Sequence, residues 1–228
     1  MKIAANSKLV MIGDSITDVG RKQPEGEGLG EALGRGYVAY VDALLTSAYP
    51  ERQIRVINKG CGGHQVTHLA ERWQRDVLDL QPHWVSIMIG INDVWRQYDQ
   101  PLIPESHVYL DVYERTLDDL VAQTLPVVKV KNGGVSGGGL VLLTPYYMEL
   151  NRKDLMRATM DKYGSVVKKI AKKHGTLCVD VQAAFEPILT HFYPATLGWD
   201  RVHPNASGHM AIARAFLNAV EFDWKGQK

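Results

Sequence analysis

The stretch Lys8–Ile16, with the sequence KLVMIGDSI, is the clearest indication of how this chain folds. Its first five residues are almost entirely apolar, and a short run of this kind that ends at a glycine is typical of a strand buried on both faces. Such strands occur in parallel sheets that are covered by helices on each side. The polar residues Asp14 and Ser15 follow directly after Gly13, where the predicted strand ends and a turn begins.

Four more apolar runs of similar length follow along the chain. They are Ile54–Asn58, Trp84–Ile89, Leu140–Thr144 and Thr176–Val181. Between these runs apolar residues recur at helical spacing, as Tyr37, Val41 and Leu44 do. Strand and helix therefore alternate, which predicts an α/β fold with a parallel sheet between helices. Because the sequence has no internal repeat and no linker, we expect residues 1–228 to form a single domain.

The composition excludes several classes of protein. The chain has 228 residues, of which 45% are hydrophobic and 22% are charged, and these ordinary globular values argue against disorder. A net charge of +1 provides no basic surface for a phosphate backbone, so we expect no nucleic acid partner. The apolar runs are too short for a bilayer span, and the run near the N-terminus is too short for a secretion signal. We therefore expect a soluble, cytoplasmic protein with no membrane partner.

The sequence gives little reason to expect a metal or a cofactor. Cys61 and Cys178 are too few for a disulfide framework, and their spacing does not indicate zinc. His64 and His68 have the spacing of a zinc-binding helix, but Gln65 stands where a metalloprotease needs glutamate. No Gly-Lys-Ser/Thr loop for a nucleotide phosphate is present. Cys61 itself is either a redox-sensitive thiol or a small buried residue.

Two glycine-rich segments are expected to be loops. Val19–Gly36 contains six glycines and is too long for a simple connection, which makes it a candidate active-site loop. Lys131–Gly139, with the sequence KNGGVSGGG, has the composition of a flexible surface insertion.

Polar residues and glycines follow the predicted strands where open parallel sheets bind ligands, beyond the carboxyl ends of the strands. Ser15 follows the first strand, Gly63 the second and Asn92 the third. Asp200 and His203 lie near the C-terminus. We expect these distant parts of the chain to converge on one site.

The same five residues can be assigned the roles of a serine hydrolase. Ser15 is the candidate nucleophile, and His203 is the candidate base because an imidazole titrates near neutrality. Asp200, three residues earlier, is close enough to hold the other ring nitrogen of His203. The backbone N–H groups of Ser15 and Gly63 and the side-chain amide of Asn92 are candidate donors to an oxyanion.

Each residue also has an ordinary structural explanation when it is considered alone. Gly-Asp-Ser forms many strand-ending turns, and Asn92 could cap a helix. Gly63 could be present only because its backbone has a positive φ. His203 could begin the last helix, and Asp200 could be a solvated carboxylate. Four short motifs in order at strand ends are harder to explain in this way, and together they favour the catalytic interpretation.

Several aromatic residues after strand ends could stack on a sugar ring or could simply be buried. They are Trp95, Tyr98, Tyr146, Tyr147 and Trp199. Trp199 is the strongest candidate because it precedes Asp200. We take Asp14, Trp95 and Trp199 as candidate substrate contacts.

At these motifs the chain resembles the SGNH (GDSL) hydrolase family. The matching blocks are Gly13–Ile16, Gly63, Gly90–Asp93 and Asp200–Pro204. The resemblance implies that Ser15, Asp200 and His203 are catalytic and that Ser15, Gly63 and Asn92 bind the oxyanion. It also implies a three-layer α/β/α sandwich with a flavodoxin-like five-stranded parallel sheet in the order 2-1-3-4-5.

The chain is most similar to one branch of that family, the intracellular acetyl-xylooligosaccharide esterases. The similar stretches are GDSITD at 13–18, KQPEGEG at 22–28, GYVAYV at 36–41, VSIMIGINDVWRQYD at 85–99 and WDRVHP at 199–204. This implies removal of acetyl groups from acetylated xylo-oligosaccharides through an acetyl-enzyme intermediate, without a cofactor, by a homo-oligomer such as an octamer. The alternatives are a thioesterase, lysophospholipase or acyltransferase, or a carbohydrate-binding protein without activity.

Overall fold

A parallel sheet of five strands forms the centre of the computed structural model, which describes residues 1–131 and 139–225. The strands are β1 (Lys8–Gly13), β2 (Arg55–Gly60), β3 (Trp84–Met88), β4 (Leu140–Leu143) and β5 (Leu177–Val179). Their order is β2-β1-β3-β4-β5, and every neighbouring pair is parallel. The expected α/β fold and strand order are confirmed.

Helices cover the sheet in two groups. The helices are α1 (Ser15–Asp18), α2 (Tyr37–Ala48), α3 (Val66–Trp73, continued by a π-helical turn at Gln74–Leu78), α4 (Ile91–Asp99), α5 (Leu110–Lys131), α6 (Leu155–His174), α7 (Val181–Leu189), α8 (Pro194–Leu197) and α9 (Ala206–Ala219). Short 3₁₀ turns occur at Pro50–Arg52 and Pro104–Ser106. α2, α7 and α9 pack together, as do α3, α4, α5 and α6. The sheet and these two groups form a three-layer sandwich.

The central strands β1, β3 and β4 are apolar runs because both of their faces are buried. All residues of β3 and β4 are buried, and β1 is buried from Leu9 onward. β5 is shorter than the predicted Thr176–Val181 because the side chain of Asp180 accepts the N–H of Ala183 and begins α7 there. α7 was not predicted from the sequence.

β2 extends two residues beyond its predicted end at Asn58, since Gly60 still pairs with Gly13 of β1. The extension brings Gly60 against α1, where a Cβ atom would lie 2.2 Å from the backbone nitrogen of Asp18. Only glycine fits at such a close approach. The buried Asn58 side chain donates to the carbonyl oxygens of Thr17 and Leu33 and so connects β2 to both ends of the loop that follows α1.

Of the insertion expected at 131–139, residues 132–138 lie outside the described residues. Within the described parts of the chain, none of the helices combines the length and the apolar character that crossing a membrane requires.

A buried arginine joins the carboxyl ends of β1 and β2. Arg72 of α3 donates to the carbonyl oxygens of Lys59 and Gly13 and pairs with Asp76 at 2.9 Å. The carbonyl oxygen of Gly13 also accepts the N–H of Cys61. Burial raises the pKa of Asp76, but the bonds from Arg75 and Arg72 outweigh this effect and lower the pKa to about 2.

This pairing predicts unequal effects of two arginine substitutions. Arg72→Met should lower the free energy of unfolding by about 2–3 kcal/mol because it removes the donor that two buried carbonyl oxygens share and leaves the buried carboxylate with only its bonds from Arg75. Arg75→Gln is the matched control, since Arg75 binds the same carboxylate with a side chain that is 75% exposed. It should leave the urea midpoint nearly unchanged.

The stabilisation by Arg72 should depend on pH in one direction. The folded-state pKa of Asp76 lies below its unfolded value, so the contribution is complete above about pH 4 and declines as the pH falls towards 2. Urea unfolding at several pH values measures this. Equal losses in the two variants would contradict the interpretation.

Candidate active site

The candidate nucleophile stands on a tight turn between β1 and α1. Asp14 caps α1, and its Oδ1 accepts the N–H of Ile16 at 3.0 Å. Ser15 is the first residue of the helix, and the N–H of a first helical residue has no partner within its helix. The turn therefore presents both the hydroxyl and the N–H of Ser15 beyond the end of the sheet.

The structure brings Ser15, His203 and Asp200 into one hydrogen-bonded series. Ser15 Oγ lies 2.8 Å from His203 Nε2, and His203 Nδ1 lies 2.7 Å from Asp200 Oδ2. Asp200 Oδ1 accepts the backbone N–H groups of Val202 and His203. The side chain of Asp200 is 8% exposed, whereas that of His203 is 42% exposed. The series thus runs from a buried carboxylate to a hydroxyl that a substrate can reach.

Asp200 has the charge that this arrangement needs. Partial burial raises its pKa, but the hydrogen bonds from His203 and Val202 outweigh this effect, and the pKa lies below its ordinary value. An ionised carboxylate at Nδ1 fixes the imidazole with Nε2 free to accept the proton of a hydroxyl.

Gly63 and Asn92 meet beside this series. Gly63 has φ of 78°, and a Cβ atom there would have no neighbour within 4 Å, so the space in front of it is open. Asn92 Nδ2 donates to the carbonyl oxygen of His64 at 2.9 Å. The preceding Gly62 donates its N–H to Asp18 Oδ2. These bonds hold the loop after β2 at the start of α4 and at α1.

Asp93 positions the start of α3, a role that the sequence analysis did not assign. Its side chain is fully buried, and Oδ1 accepts the N–H of Val66, the first residue of α3. Burial is the main reason that its pKa rises to about 7, and the charge of Asp14 adds to this. The only signal in the sequence was that Asp93 adjoins Asn92 in the same motif.

The three candidate substrate contacts, Asp14, Trp95 and Trp199, differ in their exposure and in their neighbours. Trp199 is 85% exposed, and the ring of Trp95 lies 5.7 Å from that of His203. Asp14 is buried and caps α1, and its contact with substrate stays a prediction. Tyr146, another aromatic residue considered above, is buried and donates its hydroxyl to the carbonyl oxygen of Val202.

Cys61 is half-buried beside this loop, and Arg21 Nη2 lies 3.4 Å from its Sγ. The same guanidinium donates through Nε to the carbonyl oxygen of Gly60. His68 Nδ1 accepts the N–H of Gln65, so this histidine of the pair considered for zinc serves the start of α3.

A family model described as GDSL-like Lipase/Acylhydrolase matches residues 11–211. The chain belongs to this family. The resemblance inferred from the four motifs is therefore confirmed. The segment Gly13–Ile16, which corresponds to the motif that names the family, forms the turn that carries Ser15.

Known proteins similar to this GDSL-like chain include an acetylxylan esterase from Geobacillus stearothermophilus, with 57% identity over 224 residues and 98% of each chain. The crystal structure of that esterase, Axe2, has a TM-score of 0.94 and 56% identity over 100% of both chains. Axe2 variants described as catalytic mutants each have a serine, an aspartate or a histidine replaced by alanine. LAE5, an alpha/beta hydrolase enzyme from the metagenome of Lake Arreo, Spain, has a TM-score of 0.90 and 53% identity over 96% of this chain and 97% of its own.

The raised pKa of Asp93 predicts a pH-dependent gain from Asp93→Asn. The folded-state pKa of about 7 exceeds the unfolded value, so ionisation of Asp93 destabilises the folded protein progressively as the pH rises towards and through 7. Asparagine retains an oxygen for the N–H of Val66 and carries no charge. Relative to the original protein, the variant should gain about 3 kcal/mol of unfolding free energy between pH 5 and pH 8.5.

Chemical denaturation of both proteins at the two pH values measures this gain. The quantity compared is the change in unfolding free energy between the two pH values. Any loss of stability that the substitution causes equally at both pH values therefore cancels. A difference between the two proteins that stays the same at both pH values would show that Asp93 is ionised throughout.

Proposed function

We propose that this GDSL-like hydrolase is a serine esterase that removes acetyl groups from acetylated xylo-oligosaccharides. The observation that carries the esterase chemistry is the hydrogen-bonded series from Asp200 through His203 to Ser15. The acetylated xylan substrate is proposed from the 57% identity to an acetylxylan esterase over 98% of each chain.

In the proposed acylation, Ser15 Oγ attacks the carbonyl carbon of the acetyl group. His203 Nε2 accepts the hydroxyl proton as the new bond forms, and Asp200 stabilises the resulting imidazolium. The carbonyl oxygen becomes an oxyanion, which accepts hydrogen bonds from the N–H groups of Ser15 and Gly63 and from Asn92 Nδ2. When the intermediate collapses, the bond to the sugar oxygen breaks and that oxygen takes the proton from His203.

Deacylation repeats these roles with water. His203 Nε2 takes a proton from a water molecule, whose oxygen attacks the carbonyl carbon of the acetyl-enzyme. Collapse of the second intermediate releases acetate and returns a proton to Ser15 Oγ. All of the steps use side chains and backbone groups of this chain, without a cofactor.

We assign Trp199 and Trp95 to the sugar part of the substrate. Trp199 adjoins Asp200 and exposes 85% of its surface, and sugars bind well to the flat face of an indole. Trp95 packs near His203, where the sugar oxygen leaves. We further propose that the protein acts in the cytoplasm as a homo-oligomer, such as the octamer that its resemblance implies, and that residues 1–228 form a single domain.

Substitution of the nucleophile tests the esterase chemistry. Ser15→Ala should reduce kcat for p-nitrophenyl acetate by about 10⁴-fold or more, because the group that forms the acetyl-enzyme is lost. Asn92→Ala should reduce kcat by about 10²–10³-fold, the usual effect of one oxyanion donor. Ser47→Ala, at an exposed serine of α2, is the control and should retain full activity. Turnover by Ser15→Ala near the original rate would reject Ser15 as the nucleophile.

The substrate is tested by the release of acetate from acetylated xylo-oligosaccharides. We expect efficient release from these compounds and poor hydrolysis of long-chain esters and thioesters. A preference for long acyl chains would instead indicate a lysophospholipase or thioesterase. Efficient hydrolysis of simple aryl acetates with none from the oligosaccharides would contradict the proposed substrate.

Trp199→Ala should separate sugar binding from chemistry. KM for acetylated xylo-oligosaccharides should rise about tenfold, as expected when a stacking contact worth ~1.4 kcal/mol is lost. The kinetics with p-nitrophenyl acetate, which has no sugar, should not change. Tyr109→Ala, at an exposed aromatic residue before α5, serves as the control. An equal effect on both substrates would place Trp199 outside the sugar site.

A further inference from the structure

Arg96 lies one helical turn after Asn92 on α4, and its guanidinium is held in a defined place. Nη2 donates to Asn92 Oδ1 at 3.3 Å, while Nη1 pairs with Asp99. The guanidinium carbon also lies 5.4 Å from the centre of the Trp95 ring. The side chain is only 22% exposed. Three contacts thus fix a cationic group directly behind the amide of Asn92.

The contact determines which way the Asn92 amide faces. A guanidinium has donors and no acceptor, so only the oxygen of the amide can be turned towards Arg96. Nδ2 is then directed to the other side, where it donates to the carbonyl oxygen of His64. An amide nitrogen has two hydrogens, and one of them remains for an oxyanion. If the amide turned over, its oxygen would face the oxyanion and repel it.

The contact also makes Nδ2 a stronger donor. A hydrogen bond from a charged group to the amide oxygen draws electron density away from the nitrogen, and bonds that are linked in this way strengthen one another. The effect is largest for an acceptor that carries negative charge, as the oxyanion does in the transition state.

We propose that Arg96 is a positioning residue that acts through Asn92: it orients and polarises the amide that binds the oxyanion. The inference rests on the function proposed above. It assigns to Arg96 no contact with the substrate, and it predicts an effect on the transition state that the ground state does not share.

Arg96→Met, which keeps the apolar stem and removes the donors, is the principal test. With p-nitrophenyl acetate, kcat should fall about tenfold, less than the 10²–10³-fold for loss of a whole donor, and KM should change less than twofold. Arg96→Lys retains a charged donor and should recover part of kcat. A fall in kcat with no recovery by lysine, or a change confined to KM, would overturn the proposal.

Asp99→Asn is the matched control. The asparagine oxygen still accepts the hydrogen bond from Nη1, so the guanidinium keeps its place at Asn92 while the ion pair within α4 is lost, and kcat should stay near its original value. If Asp99→Asn lost as much activity as Arg96→Met, the effect would come from the stability of α4, and the inference would be wrong.

A double-mutant cycle tests whether the effect passes through Asn92. In the Asn92→Ala background, Arg96→Met should reduce kcat less than twofold further, since the group through which Arg96 acts is already absent. Losses that multiply would show that Arg96 acts independently and would overturn the inference. All variants are compared at temperatures where circular dichroism shows them folded.

Ser15→Ala, measured in parallel, distinguishes failure of the proposed function from failure of the role assigned to Arg96. If Ser15→Ala is inactive and Arg96→Met is fully active, only the role of Arg96 fails. If Ser15→Ala remains active, the proposed function fails, and the inference fails with it.

Discussion

The 2.8 Å hydrogen bond between Ser15 Oγ and His203 Nε2 joins residues that are 188 positions apart in the sequence. A displacement of either side chain by a few tenths of an ångström would weaken this hydrogen bond, so Ser15 and His203 must each be held in place. Asp14 fixes the turn of Ser15 by capping α1. On the other side, Asp200 binds the N–H of His203, and Tyr146 donates to the neighbouring carbonyl oxygen of Val202. Much of the buried polar structure at the carboxyl ends of the strands supports this contact.

Three carboxyl groups around the site fall into two electrostatic classes. Asp14 and Asp93 are fully buried, bind backbone N–H groups, and have pKa values raised to about 7 mainly by desolvation. Asp200 is bound by the imidazole and by two N–H groups, and its pKa is lowered. The environment therefore raises the pKa of the two carboxyl groups that bind only backbone N–H groups and lowers the pKa of the one that also binds an imidazole. Residues of the same type perform different tasks because their surroundings differ.

The sequence predicted the parts of this structure that depend on local pattern. Buried parallel strands are recognisable as apolar runs, and the polar residues after them led to the site. α7 was missed because its start depends on the cap by Asp180, and β5 was predicted too long for the same reason. The cap that Asp14 forms on α1 was not predicted, because sequence does not distinguish a side chain that faces a pocket from one that turns back to cap a helix. The connection that Arg72 makes between β1 and β2 was not predicted, since its partners there are carbonyl groups on two separate strands.

The carbonyl oxygen of Gly13 has two partners, Arg72 Nη2 at 3.2 Å and the N–H of Cys61 at 3.1 Å. Ser15 lies two residues after Gly13 in the sequence, and Gly63 lies two residues after Cys61. The proposed nucleophile and one proposed oxyanion donor are therefore both connected to the carbonyl oxygen of Gly13. A displacement of this end of β1 should therefore move Ser15 and the loop with Gly63 in the same direction, and the distance between them should change less than their positions.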